Sequence, residues 1–368
     1  MKAVVLAGGY ATRLRPISYA MPKLLFPVFR KPMIFWTLDL LHSIGVDEVI
    51  LGVNYMAETL RANVGSTYRG MSIKYSLETQ ELGTAGPIKL ASTNTELNET
   101  FIAMNGDVIA EINLQDMLRQ HNETKALITD ALHEVKTPSR FGVVQLTRAD
   151  GSNRIQRFVE KPKPGRAPSH LVNAGIYLID PSVLQMIPPG QKVSLEREIF
   201  PRVAGEGKLY GFPFSGHWFD IGDLKDYREV NFLLLRDSKS KAEVIGRDAQ
   251  VATDAVIRAP VAFGDKSSVE SWAHVGPKVL LGKNGSIARH AKVARSILFD
   301  RVSIGEGAEV TDAIVATGVK VGRNVKIGRG CIISPNVTIA DGVRIGEGAI
   351  IHPFKEITGN VRAAAHVM

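Results

Sequence analysis

From Val321 onward a β-branched residue recurs every six positions: Val321, Ile327, Ile333, Ile339, Ile345, Ile351 and Ile357. Ile245, Val251 and Ile257 begin the same series earlier, and glycine often follows, as at Ile304-Gly305, Ile327-Gly328 and Ile345-Gly346. A loose β-sandwich with glycine turns does not produce seven consecutive matches. A parallel β-helix does, because three hexapeptides close one triangular coil and each coil buries its apolar face only against a neighbour. Residues 243–358 are therefore expected to stack into about six coils. The series is poorer between Ala259 and Ala316, where longer turns or a skewed coil are expected. Solenoids of this kind need capping and commonly self-associate, which predicts a homo-oligomer.

The preceding two thirds of the chain has a different rhythm. Val49 to Val53, Ile73 to Leu77, Phe101 to Met104 and Ala126 to Ala131 read as strands, and Met33 to Ile44, Thr84 to Ala91 and Leu114 to Gln120 as helices. Alternation of this kind predicts a largely parallel sheet covered on both faces. After Gly142 strands dominate, through Val143 to Leu146, Arg154 to Val159, Val172 to Ile179 and Leu209 to Phe214, before a helix over Leu224 to Leu235. The fold class is α/β, with domains expected at 1–236 and 243–368.

The string LAGGYATRLRPISYAMPKLLFPV, Leu6 to Val28, follows a short apolar strand and precedes the first helix. Gly8 and Gly9 let backbone N–H groups approach a ligand closely, and Thr12 adds a hydroxyl. Arg13 brings a planar fork of donors suited to phosphate oxygens, and Lys23 a compact point charge at the far end of the loop. Strand, loop and helix in that order form the arrangement in which an α/β sheet offers its crevice at the strands' carboxyl ends. Neither GxxxxGK[ST] nor GxGxxG follows this strand, which sets aside the commoner phosphate loops.

Composition narrows the classes further. The single cysteine, Cys331, rules out an internal disulfide and suits a reducing compartment, so cytoplasm is the expectation. The apolar run Ala3 to Ala7 is too short for a signal peptide, and no window approaches the roughly 18 apolar residues of a membrane span. A net charge of +8 could suggest nucleic acid, but the basic residues are scattered and no aromatic and basic surface motif accompanies them. Anionic small molecules are the simpler partners.

As a whole, the loop resembles the signature of the sugar-phosphate nucleotidylyltransferases, LAGGxGTRLxPxTxxxPKxLxP. That resemblance implies a Rossmann-like mixed-sheet nucleotidyltransferase domain followed by a left-handed β-helix of hexapeptide repeats. It also implies transfer of a nucleotidyl group from a nucleoside triphosphate to a sugar 1-phosphate, with release of pyrophosphate. Asn105-Gly106-Asp107 after a strand, and Trp218-Phe219-Asp220-Ile221-Gly222 later, are similar to the family's two metal elements, so Asp107 and Asp220 are expected to hold Mg²⁺. Leu82-Gly83-Thr84-Ala85-Gly86 is similar to the element that closes over base and ribose. Nucleotide contacts are thus expected from Leu6, Ala7, Gly8, Gly9, Thr12, Arg13, Glu78, Gly83 and Thr84, and catalytic roles from Arg13, Lys23, Asp107 and Asp220. Relatives that use UTP or dTTP tend to carry glutamine where Glu78 stands. A carboxylate has only acceptors, which match the adjacent N1–H and N2–H donors of guanine and favour GTP.

For the sugar phosphate, the resemblance implies Gly142, Glu160 and Asn173 as partners of the hydroxyls and Lys161 as a partner of the phosphate. Within the family the strings GGYATRLRP, LGTAGP, RFVEKP, NAGIYLI and WFDIG are most similar to the mannose-1-phosphate guanylyltransferases. Ala11 departs from the usual glycine of GGxGTR, and would be strained if its φ is positive. Three other readings stand beside this one: a glucose-1-phosphate enzyme using UTP or dTTP, a non-catalytic regulatory homologue, and an acyltransferase using His274, His290 or His352 of the β-helix.

Overall fold

The computed structural model describes residues 1–147, 151–237 and 243–368. Two compact units form, Met1–Tyr10 with Met33–Asp220, and Ala11–Pro32 with Ile221–Met368.

The first unit is built on a mixed sheet. Its centre is four parallel strands in the spatial order Met71–Leu77, Glu48–Val53, Lys2–Leu6, Phe101–Asn105. Ala3, Val4 and Val5 are consecutive and all fully buried, so this strand is covered on both faces, as parallel strands require. The chain runs outward through the first three strands and then returns to place the fourth on the other side of Lys2–Leu6. That reversal opens a crevice at the carboxyl ends of Lys2–Leu6 and Phe101–Asn105. The strand-rich part continues the sheet beyond Phe101–Asn105 in antiparallel fashion, through Leu171–Ile179, Gly142–Leu146 and Ile155–Glu160. Ile128–Glu134 also pairs with Leu171–Ile179, and Leu209–Phe214 adds alongside it. Helix Gly86–Asn94 buries Ile88 and Ala91 in the same apolar cluster as Val4, Ile50 and Ala103.

The second unit contains the β-helix. Three parallel sheets of eight, seven and six strands stack coil on coil, giving six complete turns, a seventh closed by a single bridge at Val361, and the first strand of an eighth. An inward residue from each strand, joined by turn residues such as Ala273, Val302 and Val325, forms the core, from Val251 and Ile257 through to Ile357. The weak stretch expected between Ala259 and Ala316 proves regular in an unexpected way. Phe263, Val269, Val275, Leu281, Ile287 and Val293 keep the six-residue step, and Phe263 and Leu281 escape notice only because they are not β-branched. The expected longer turns are absent. Instead the chain steps five residues from Val293 to Leu298 and from Val310 to Val315, so adjacent coils there pair residues 17 apart rather than 18, as in Leu281 with Leu298 and Phe263 with Leu281 respectively. Helix Leu224–Asp237 and the segment Ala11–Pro32 belong to this unit by their packing.

Candidate active site

The carboxyl ends of the parallel strands carry Leu6 to Gly9, Glu78 and Asp107. Leu6 pairs with Gly52 and with Asn105, its carbonyl accepts from Gly106 N at 2.9 Å, and Ala7 N donates to Gly52 O at 2.8 Å. These bonds fix the strand end from which Gly8 and Gly9 emerge. Glu78 directly follows Met71–Leu77 and lies against Gly8: a Cβ there would stand 2.6 Å from Glu78 Oε1. Position 8 is therefore glycine because the Glu78 carboxyl occupies the space of a side chain. Glu78 is only 9% exposed, and burial alone pushes its carboxyl up to about 7.

The two aspartates meet through backbone pairing. Trp218–Asp220 runs antiparallel to Val108–Ala110, with Asp220 opposite Val108, so Asp220 lies one residue from Asp107 at the mouth of the crevice. This brings together residues more than a hundred positions apart in sequence. Among the described residues, no group of three or more His, Cys, Asp or Glu forms a closed metal cage. Two aspartates whose backbones come together on paired strands suit a hard divalent cation that completes its coordination with phosphate and water.

Trp218 also contacts the segments expected to meet the sugar. Its Nε1 donates to Ala174 O at 3.0 Å, its ring meets Phe141 edge-on at 5.3 Å, and it stacks on His133 at 5.5 Å. Phe141 precedes Gly142, and Ala174 follows Asn173, so the strand bearing Asp220 touches both sugar motifs. Asn173 Oδ1 accepts from Gly175 N at 2.7 Å, and its Nδ2 donates to Tyr177 Oη at 2.9 Å. The register against Ile128–Glu134 shifts between Asn173 and Tyr177. In that bulge Gly175 adopts φ +73°, and a Cβ would stand 2.6 Å from Asn105 Nδ2. Gly142 pairs across the sheet with Glu160, whose carboxylate holds Lys161 Nζ at 3.0 Å.

Gly83 bridges to Val193, and the Thr84 hydroxyl is tied to the same distant segment, donating to Glu196 Oε2 at 2.7 Å and accepting from Leu195 N at 2.8 Å. The Thr84 side chain thus anchors its own segment.

Thr12, Arg13 and Lys23 lie in the second unit, each in or opening a single three-residue helical turn. Arg13 Nη1 is 3.3 Å from where a Cβ on Gly222 would stand, so the glycine of WFDIG makes room for the guanidinium. Ala11 has φ 48° and ψ 42°, the left-handed conformation that the usual glycine would adopt without strain. Ser18 Oγ donates to its carbonyl at 2.9 Å and helps to hold it there.

Several residues were not found from sequence. Asn105, Trp218 and Tyr177 sit inside motifs that were read for other members, and could have been suspected from their position. Asp130 gave no signal. It is fully buried opposite Tyr177 on Ile128–Glu134, and neither carboxyl oxygen has a hydrogen-bond partner. Burial, and then the nearby Glu196, hold its carboxyl far above the usual range.

Residues 2–237 match the Nucleotidyl transferase family model, and residues 242–367 match the GMPPB C-terminal domain. The chain is 32% identical over 372 residues to mannose-1-phosphate guanylyltransferase 1 of Arabidopsis thaliana, covering 100% of both proteins. It is 39% identical over 245 residues to the catalytic subunit beta of mannose-1-phosphate guanylyltransferase from Danio rerio, covering 66% of this chain and 67% of that one. A solved Bacillus anthracis structure, described as a glucose-1-phosphate thymidylyltransferase in complex with sucrose, shares 26% identity at a TM-score of 0.59, covering 66% of this chain and 97% of that one.

Proposed function

The chain belongs to the nucleotidyl transferase family, and within it we propose that this enzyme makes GDP-mannose and pyrophosphate from GTP and mannose 1-phosphate. The observation that supports the reading is the pairing of Trp218–Asp220 with Val108–Ala110, which puts the backbone of Asp220 opposite the residue that follows Asp107. The names of the full-length relatives support the substrates.

The sugar phosphate is already an anion, so its attack on the α-phosphorus requires no general base. The difficulty is to bring two polyanions into line, and catalysis falls to positioning and charge neutralisation. In this reading Leu6, Ala7, Gly8 and Gly9 present backbone amides to the triphosphate, with Thr12 and Arg13 on its β and γ groups. Lys23 and Lys161 guide the phosphates, and Glu160, Asn173 and the backbone of Gly142 orient the sugar hydroxyls. Glu78, ionised, accepts from N1–H and N2–H of guanine, and the Gly83–Thr84 segment borders the base and ribose. Asp107 and Asp220 would hold Mg²⁺, which when bound neutralises phosphate charge.

The same reading assigns residues 1–236 to catalysis and 243–368 to the β-helix, and takes the protein to be a cytoplasmic homo-oligomer. The lone buried Cys331 and the solenoid's need to cover its ends support that assignment. No described helix is long and apolar enough to cross a membrane.

A panel of four nucleoside triphosphates against mannose, glucose and glucosamine 1-phosphates, with Mg²⁺ and a pyrophosphate readout, tests the proposal. GTP with mannose 1-phosphate should give the highest kcat/KM. A preference for dTTP or UTP with glucose 1-phosphate would overturn the substrate assignment, and no pyrophosphate in any combination would overturn the activity.

A further inference from the structure

The three faces of the β-helix are not equivalent. In two sheets the outward residues are polar, such as Ser286, Ser303, Lys320 and Thr338 in one and His274, Lys292, Glu309 and Lys326 in the other. In the third they are Ala262, Leu280, Ile297 and Ile314, all buried although they lie outside the interior column. Phe299, just after one of these strands, is also fully buried. An outward coil residue reaches that state only when something lies over it.

What lies over Phe299 is the loop that carries Arg13 and Lys23. The Phe26 ring meets Phe299 at 5.8 Å and Tyr227 at 5.7 Å, both edge-on. The Tyr227 hydroxyl donates to Pro27 O, Phe29 N donates to Asn231 Oδ1 at 2.7 Å, and Arg30 pairs with Asp265 at 3.7 Å. Further along the solenoid Tyr19 stacks on His352, ring centroids 5.7 Å apart and planes at 30°, with the Arg15 guanidinium 4.9 Å from the other ring partner, Tyr19. The segment itself contains only three isolated three-residue turns and a two-residue ladder. Structure that sparse does not offset the backbone entropy of ordering such a long loop, so its shape depends on what it rests against.

We propose that the β-helix is the bed that shapes the phosphate-binding loop, and that Tyr19 and His352 are positioning residues for nucleotide binding. The proposal rests on the reading that Arg13 and Lys23 meet the triphosphate. Neither Tyr19 nor His352 needs to touch substrate: their stack fixes the turn adjoining the one that bears Arg13. Tyr19 is 45% exposed, so removing its ring leaves the fold intact.

The test compares Tyr19→Ala, His352→Ala, the double variant and Tyr19→Phe in the full-length protein. Loss of one aromatic contact should raise KM for GTP about 3- to 10-fold while leaving KM for mannose 1-phosphate within twofold. The double variant should be no worse than either single one, and Tyr19→Phe should behave as the parent. Amide exchange over residues 11–32 should quicken in both alanine variants, with Phe101–Asn105 unchanged. The exchange measurement needs no turnover, so a failure of the functional reading stays distinguishable from a failure of this one. Unchanged exchange over 11–32 in both alanine variants, additive effects in the double variant, or an equal rise in both KM values would overturn the proposal.

Discussion

Asp130→Val should stabilise the protein, and more so as pH rises. The aspartate sits on a central strand with no exposure and no partner for either carboxyl oxygen. An unpartnered neutral polar group in such a site costs about 1–3 kcal/mol. Valine has one side-chain atom fewer, a branched shape suited to a strand, and no polar atom to leave unsatisfied. A second effect comes from the proton. Burial raises the folded-state pKa well above the ordinary 3.8, so the folded protein keeps a proton that the unfolded chain releases. The resulting stability is fully present below the unfolded pKa and is lost as pH climbs towards the folded value, at about 1.4 kcal/mol per pH unit. Valine removes that loss. Relative to the parent, Asp130→Val should gain about 3–4 kcal/mol at pH 5, the polar cost plus about one pH unit of linkage, and its advantage in Tm should grow by about 3–6 °C with each further pH unit inside the window. Urea and thermal unfolding at pH 5, 6 and 7 measure both numbers. A destabilised variant would show that the carboxyl has a partner holding it, and a gain independent of pH would show that it is not protonated in the fold.

Three further outcomes follow from the site. Ala11→Gly should relieve the left-handed strain at φ 48° and raise stability by about 0.5–1 kcal/mol after the entropy of glycine is counted, read as a higher Tm together with a lower KM for GTP. Because Glu78 titrates at about 7 and must be ionised to accept from guanine, KM for GTP should fall as pH rises through 7 and level off above it; Glu78→Gln should flatten that profile and move preference towards UTP. Asp107→Asn and Asp220→Asn should each lower kcat about 10²-fold or more with unchanged circular dichroism, and a smaller loss in either would remove that residue from the reacting centre.

The β-helix was legible because one physical demand repeats: every strand needs an inward apolar residue, and twenty interior positions cannot hide a period. It became obscure where that demand is met by Phe263 and Leu281 instead of valine or isoleucine, and where two five-residue steps shift the phase. The crevice at the strands' carboxyl ends was legible in outline, since glycine, aspartate and glutamate each follow an apolar run. What sequence could not supply was pairing across distance. Nothing local to Trp218-Phe219-Asp220 says that it lies along Val108–Ala110, and nothing local to Thr84 says that Glu196 takes its hydroxyl. The apolar outer face of one solenoid sheet was written plainly as doubled residues, Leu280-Leu281, Ile297-Leu298, Ile314-Val315, but a second apolar residue per strand has meaning only once the inward one is known.

Local costs are distributed unevenly between the two kinds of architecture in this chain. Along the β-helix some left-handed corners hold residues that tolerate them, such as Asn284, Asp312, Asn324 and Asn336, and others hold residues that do not, such as Trp272, Phe354 and Ala364. At the crevice the compromises are of another kind: a buried carboxyl at Glu78 with only burial acting on it, and a bulge at Asn173 that needs a glycine beside Asn105. Burying a carboxylate is costly, and the cost falls when a ligand brings donors to it. The burial of Glu78, against Gly8, therefore has the form expected of a base-recognition group, and that of Asp130, with no exposure, does not. That difference makes Glu78→Gln a test of specificity and Asp130→Val a test of stability, although both remove a buried carboxylic acid.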